Sequence, residues 1–166
     1  MKSTQTGNSE NSALVANLVD LLNKGNAHVS LDDSLKNIPF DLLGRKPQDL
    51  PYSLWQIAEH IRIAQSDILE FSRDANYQSP AWPESYWPKE TKPASEEEWK
   101  KCLNRIKKDR KEFIKLLQNS PAELFTVFEH GDGQTLLREA LVLADHNSYH
   151  TGEIIVIRRL LDIWPK

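Results

Sequence analysis

The stretch from Thr135 to Ile163 constrains the fold more than any other. Leu136, Ala140, Leu143, Asn147, His150, Ile154, Ile157 and Leu161 recur at the three-to-four-residue spacing that puts side chains on one helix face. A stripe of that length commits the chain to a long helix whose apolar face must be buried against other helices. Ile155, Val156, Leu160 and Ile163 make the second half apolar on more than one side. That is the pattern of a helix buried between layers or against a second subunit.

Three further segments carry helical periodicity. Leu14, Val15, Leu18, Leu21 and Leu22 mark a first helix from Ser12, which Gly25 stops. Ser53 opens a second, with Gln56 at capping-box spacing and an apolar stripe of Leu54, Ile57, Ala58, Ile61, Ala64 and Ile68, running to about Asp74. Ser95 and Glu98 repeat that spacing ahead of a third, whose stripe is Trp99, Leu103, Ile106, Phe113 and Leu117. Glu96 and Glu97 sit in its first turn, where the helix dipole favours negative charge. Ser30 to Leu35 forms at most a short helical turn, and Pro39, Gly44, Pro47 and Pro51 break the chain after it. No strand pattern and no internal repeat is present. The expected fold is all-α, a four-helix bundle with a long crossover loop between the second and third helices. Residues 1–11 are polar and read as a disordered tail, and residues 12–166 as a single domain.

The crossover is unusual. Between residues 77 and 94, Pro80, Pro83, Pro88 and Pro93 forbid regular structure, while Tyr77, Trp82, Tyr86 and Trp87 are too apolar for a solvated linker. The segment reads as a strap across the bundle or as the wall or lid of a pocket.

Composition excludes several classes. The chain has 166 residues and a net charge of -3, with no strongly basic stretch, so nucleic-acid binding has no electrostatic support. No apolar run is long enough to span a membrane, and the N-terminus lacks the apolar core of a signal peptide. The single cysteine, Cys102, cannot form an internal disulfide and reads as a small buried thiol. A cytoplasmic location is the plain expectation.

The chemistry concentrates in histidine. His146 and His150 are four residues apart in the last helix, so both project from one face, one turn apart. His60 lies on the flank of the second helix, and flanks of two helices can converge on one cleft. Three neutral imidazoles suit zinc, nickel, copper or ferrous iron and leave a coordination position open; the expected cofactor is zinc or nickel first, with iron or manganese as the alternatives. A divalent ion so held lowers the pKa of bound water or thiol. Glu59, Asp67 and Glu153 are candidate acceptors for the outer ring N–H groups. Glu153, one turn beyond His150, is also the candidate catalytic base. His28 and His130 fall in loops and read as non-ligands. Asn147 lies near the centre of the core stripe, so it is expected to tie its helix to a neighbour's backbone. Tyr149 points away from the core and could pack against the aromatic loop. The residues alone leave open whether the histidines bind metal or pack with satisfied hydrogen bonds.

The stretches Ser53-Leu54-Trp55-Gln56-Ile57-Ala58-Glu59-His60-Ile61 and Asp145-His146-Asn147-Ser148-Tyr149-His150-Thr151-Gly152-Glu153-Ile154 resemble the DinB superfamily, a group of DinB/YfiT-like metalloenzymes, in order, separation and helical placement. The resemblance runs from about Ser12 to Trp164. It implies a bundle holding a divalent metal on His60, His146 and His150. It implies a metal-dependent hydrolase, or a transferase that activates a low-molecular-weight thiol against an electrophile, and it implies a homodimer. Where the family usually shows Gly-Gln, this chain has Gly152-Glu153, which adds a carboxylate beside the site. The alternatives are a non-catalytic metal-binding protein and a stress-response or interaction bundle.

Overall fold

The computed structural model describes residues 3–165, with side chains from Glu10 onward. The regular elements among the described residues are all helices, with no strand. The helices are α1 (Ser3–Lys24), α2 (Leu31–Ser34), α3 (Leu54–Arg73), α4 (Glu96–Asn119) and α5 (Leu136–Leu160). A lone antiparallel bridge joins Val127 to Thr135.

The helix ends follow local chemistry. Ser53 accepts from the Gln56 N–H at 3.2 Å while Gln56 Oε1 accepts from the Ser53 N–H at 3.2 Å, a closed capping box. Ser95 caps α4 through the Glu98 N–H, but the Glu98 carboxylate reaches one residue further back, to the Ala94 N–H. Thr135 caps α5 through the Arg138 N–H. Such caps contribute about 1 kcal/mol each. Lys24 ends α1 because Gly25 follows in the left-handed region at φ 66°, which glycine adopts without penalty.

The polar segment 3–11, expected as a disordered tail, is helical from Ser3, and Asn11 Nδ2 donates to the Pro121 carbonyl at 3.0 Å. Residues 1 and 2 of the expected 1–11 tail lie outside the described residues.

Helices α4 and α5 each pack against both α1 and α3, and α2 packs on α5. Two apolar clusters result. One joins Leu54, Ile57 and Ile61 of α3 to Trp99 and Ile106 of α4 and Ile154 and Ile157 of α5. The other joins Leu18 and Leu22 of α1 to Ile68, Phe113, Leu136 and Leu143. Between them runs a polar belt. Buried Gln65 of α3 donates to the Ile106 carbonyl of α4 at 2.5 Å and accepts from Asn147 Nδ2 of α5 at 3.4 Å. Asn147 therefore reaches a neighbouring side chain rather than the expected backbone. Asp109 and Arg110 extend the belt along α4, and Arg110 pairs with Asp32 at 2.7 Å. The histidines sit on the α3–α5 side of this belt.

Segment 77–94 runs antiparallel to α3. Ser53 Oγ donates to the Thr91 carbonyl at 2.5 Å, Gln56 Nε2 to the Pro88 carbonyl at 3.3 Å and His60 Nδ1 to the Tyr86 carbonyl at 2.9 Å. Positions 53, 56 and 60 share one helix face, so a single α3 stripe lashes the strap in place. Gly44 allows the neighbouring loop to close on it, since a Cβ there would lie 2.7 Å from Lys92 Cβ.

Candidate metal centre

His60, His146 and His150 converge, and one ring nitrogen from each lies within 4.8 Å of the others. Helix α5 supplies two through the i, i+4 spacing and α3 the third. His60 and His150 are buried, at 3% and 6% exposure, and His146 is partly so. A carbonyl only accepts, so the Tyr86 carbonyl fixes the proton of His60 on Nδ1 and leaves Nε2 a lone pair. Glu153 Oε2, 2.7 Å from His150 Nδ1, does the same for that ring. Both rings thus aim lone pairs inward, with their outer N–H groups anchored as metal-binding histidines require.

The remaining ring reports what the centre lacks. His146 Nε2 lies 2.9 Å from His60 Nε2, and His146 Nδ1 is buried without a partner. Only a proton on His146 Nε2 prevents two lone pairs from facing each other there. That proton leaves Nδ1 an orphaned acceptor. A cation among the converging ring nitrogens relieves the contact between the two Nε2 atoms and leaves Nδ1 as an unpartnered N–H, so the donor set fits a divalent ion that accepts neutral nitrogen ligands.

Electrostatics keep the rings neutral. Burial, then His150 and His60, push His146 down to about 3, and burial with His60 pushes His150 down to about 4. Burial also lowers His60, against the Tyr86 hydrogen bond. The His150–Glu153 contact is therefore a hydrogen bond from a neutral ring rather than an ion pair. Burial raises the Glu153 pKa, against a hydrogen bond from Tyr149.

Aromatic rings wall the cluster. Trp87 stacks on His60 at 3.9 Å and 2° between planes, and Tyr52 stacks on the other face of Trp87 at 3.8 Å. The strap thus serves as a wall through Trp87 and the Tyr86 carbonyl. Trp82 is 70% exposed and meets Tyr86 edge-on at 5.0 Å rather than the histidines. Tyr149 is also exposed and meets His150 edge-on at 5.0 Å rather than the strap.

Of the acceptors expected around the rings, Glu153 alone is in place. Glu59 binds Arg62 in a 2.6 Å pair, and Asp67 accepts from the Tyr86 hydroxyl at 2.6 Å. Asp67 so holds the strap residue whose carbonyl orients His60. Sequence reasoning missed that carbonyl, since a backbone acceptor has no side-chain signature. Its signal was the aromatic loop itself. His28 bonds Ser148 Oγ at 3.1 Å and His130 the Phe71 carbonyl at 2.9 Å, both away from the cluster. Cys102 is buried, as expected, and burial raises its pKa.

Among known proteins, the profile described as the DinB superfamily matches residues 27–154, a span that holds the strap and all three converging histidines. No curated protein and no solved structure matches the chain.

Proposed function

The chain belongs to the DinB superfamily, and on that premise we propose that it is a divalent-metal-dependent enzyme of the hydrolase or thiol-transferase type. His60, His146 and His150 are the residues that would hold the ion, with zinc or nickel the first choice. The observation that carries this reading is the pair of outward anchors, the Tyr86 carbonyl and Glu153, that turn two Nε2 lone pairs toward a third ring. The ion, when bound, makes a water or a low-molecular-weight thiol acidic enough to react at neutral pH.

The chain's own residues do the rest. Trp87 and Tyr52 exclude water from one side of His60 and hold its plane. Glu153, bonded to His150 Nδ1, is the base assigned to take the proton released by the thiol or water, and its raised pKa suits a group that must hold that proton. The scaffold is read as a four-helix bundle of α1, α3, α4 and α5, crossed by the strap between α3 and α4. Exposed Val142, Tyr149 and Leu160 along α5 support a homodimer.

The test is turnover. Zinc- or nickel-loaded protein is given low-molecular-weight thiols with 1-chloro-2,4-dinitrobenzene, in which an S–C bond forms, chloride leaves and the thiol proton is released. Thioether formation is expected to need the metal and to fall about 100-fold in Glu153→Gln. Equal rates with and without metal across the thiols, and likewise for ester hydrolysis, contradict the proposal.

A further inference from the structure

A pocket of about 290 Å³ opens beside the histidine cluster. It is lined by Leu50–Tyr52, by Ile57 of α3 and by Gly152, Val156 and Ile157 of α5. Its size is close to the lower end of small-molecule sites. Glu153 contributes the one carboxylate, and no cationic side chain lines it.

Two of these residues lead directly to the histidines. Glu153 accepts from His150 Nδ1, and Tyr52 stacks on Trp87, which stacks on His60. An occupant of the pocket therefore touches Glu153, which bonds His150, and Tyr52, which reaches His60 through Trp87.

Gly152 is the revealing position. It lies inside α5, where glycine weakens a helix relative to alanine. Neither a left-handed backbone nor a close neighbour explains it, because a Cβ built there meets nothing within 4 Å. What the missing side chain leaves is open pocket.

We infer that Gly152 keeps open an apolar subsite that seats an uncharged hydrophobic group of the substrate, such as an aromatic ring, next to the histidine centre. This rests on the reading of that centre as catalytic. An anionic group is disfavoured there by Glu153, and a cationic group by a divalent ion on the neighbouring histidines. The apolar walls give an anion no partner.

The neutral fluorophore N-phenyl-1-naphthylamine tests the subsite without turnover. Saturable binding at one site per chain is expected for wild type. Gly152→Leu, which extends into open space, should weaken it at least tenfold, with Gly152→Ala intermediate and metal content unchanged. Val156→Lys, a second block on the exposed wall, should do the same. The anion 1-naphthoate should bind at least tenfold more weakly than the neutral probe. Unchanged probe binding in both Gly152→Leu and Val156→Lys, or no saturable binding to wild type, overturns the inference. His146→Ala protein should retain probe binding, so a failed metal assignment and a failed subsite give different results.

Discussion

His60 Nε2 and His146 Nε2 lie 2.9 Å apart, although the Tyr86 carbonyl already holds the only proton of neutral His60 on the far side of its ring. The contact leaves His146 Nδ1 buried without a partner. A buried polar atom of this kind costs on the order of 1–3 kcal/mol. A cation leaves that atom unpartnered, now as an N–H, but replaces the Nε2–Nε2 contact with two ligand bonds, so metal should stabilise the fold. Zinc or nickel added to metal-free protein is expected to raise the melting temperature; no shift at saturating metal contradicts the assignment.

Glu153 anchors His150 from outside the cluster. Removal of such an outer partner typically costs 10–100-fold in metal affinity. Glu153→Ala should weaken zinc binding by about that factor, measured by competition with a chelator. Glu153→Gln, which keeps an acceptor oxygen, should lose less. Equal affinity in Glu153→Ala and wild type would show that the carboxylate does not position the ring.

The indole of Trp87 joins the strap to His60 and Tyr52. Its ring is only partly buried, so Trp87→Ala should cost less than a core aromatic, about 2 kcal/mol by urea unfolding. Trp87→Phe should recover much of it. A loss under about 0.5 kcal/mol would mean that the strap is held by its backbone bonds alone.

Cys102 gives a pH-dependent prediction. Burial raises its pKa well above that of a free thiol, so the folded thiol stays protonated where the unfolded one ionises. The stability this contributes is fully present below about pH 9 and is lost as pH rises beyond it. Native protein should react slowly with Ellman's reagent at pH 8 and quickly once unfolded. Cys102→Ser should flatten the alkaline side of the stability profile. Rapid labelling of native protein would contradict the burial.

Much of this was legible in the sequence, because helix periodicity and capping chemistry are local. Ser53, Ser95 and Thr135 start their helices where side-chain oxygens can reach free N–H groups. The i, i+4 pair His146 and His150 needed only helical geometry. Three things were not legible. The Tyr86 carbonyl depends on how an irregular strap folds back on α3. Asp67 and Glu59 were near enough in sequence to serve as acceptors, but Tyr86 and Arg62 claim them. The pocket joins residues 50–57 to 152–157, a long-range pairing that no periodicity encodes.

The most direct measurement is elemental analysis of untagged wild-type protein beside His146→Ala, both reconstituted with zinc or nickel and then desalted. The account predicts close to one equivalent of divalent metal per chain in wild type and its loss in a folded His146→Ala protein. No metal in reconstituted wild type, or full occupancy in the variant, would contradict it.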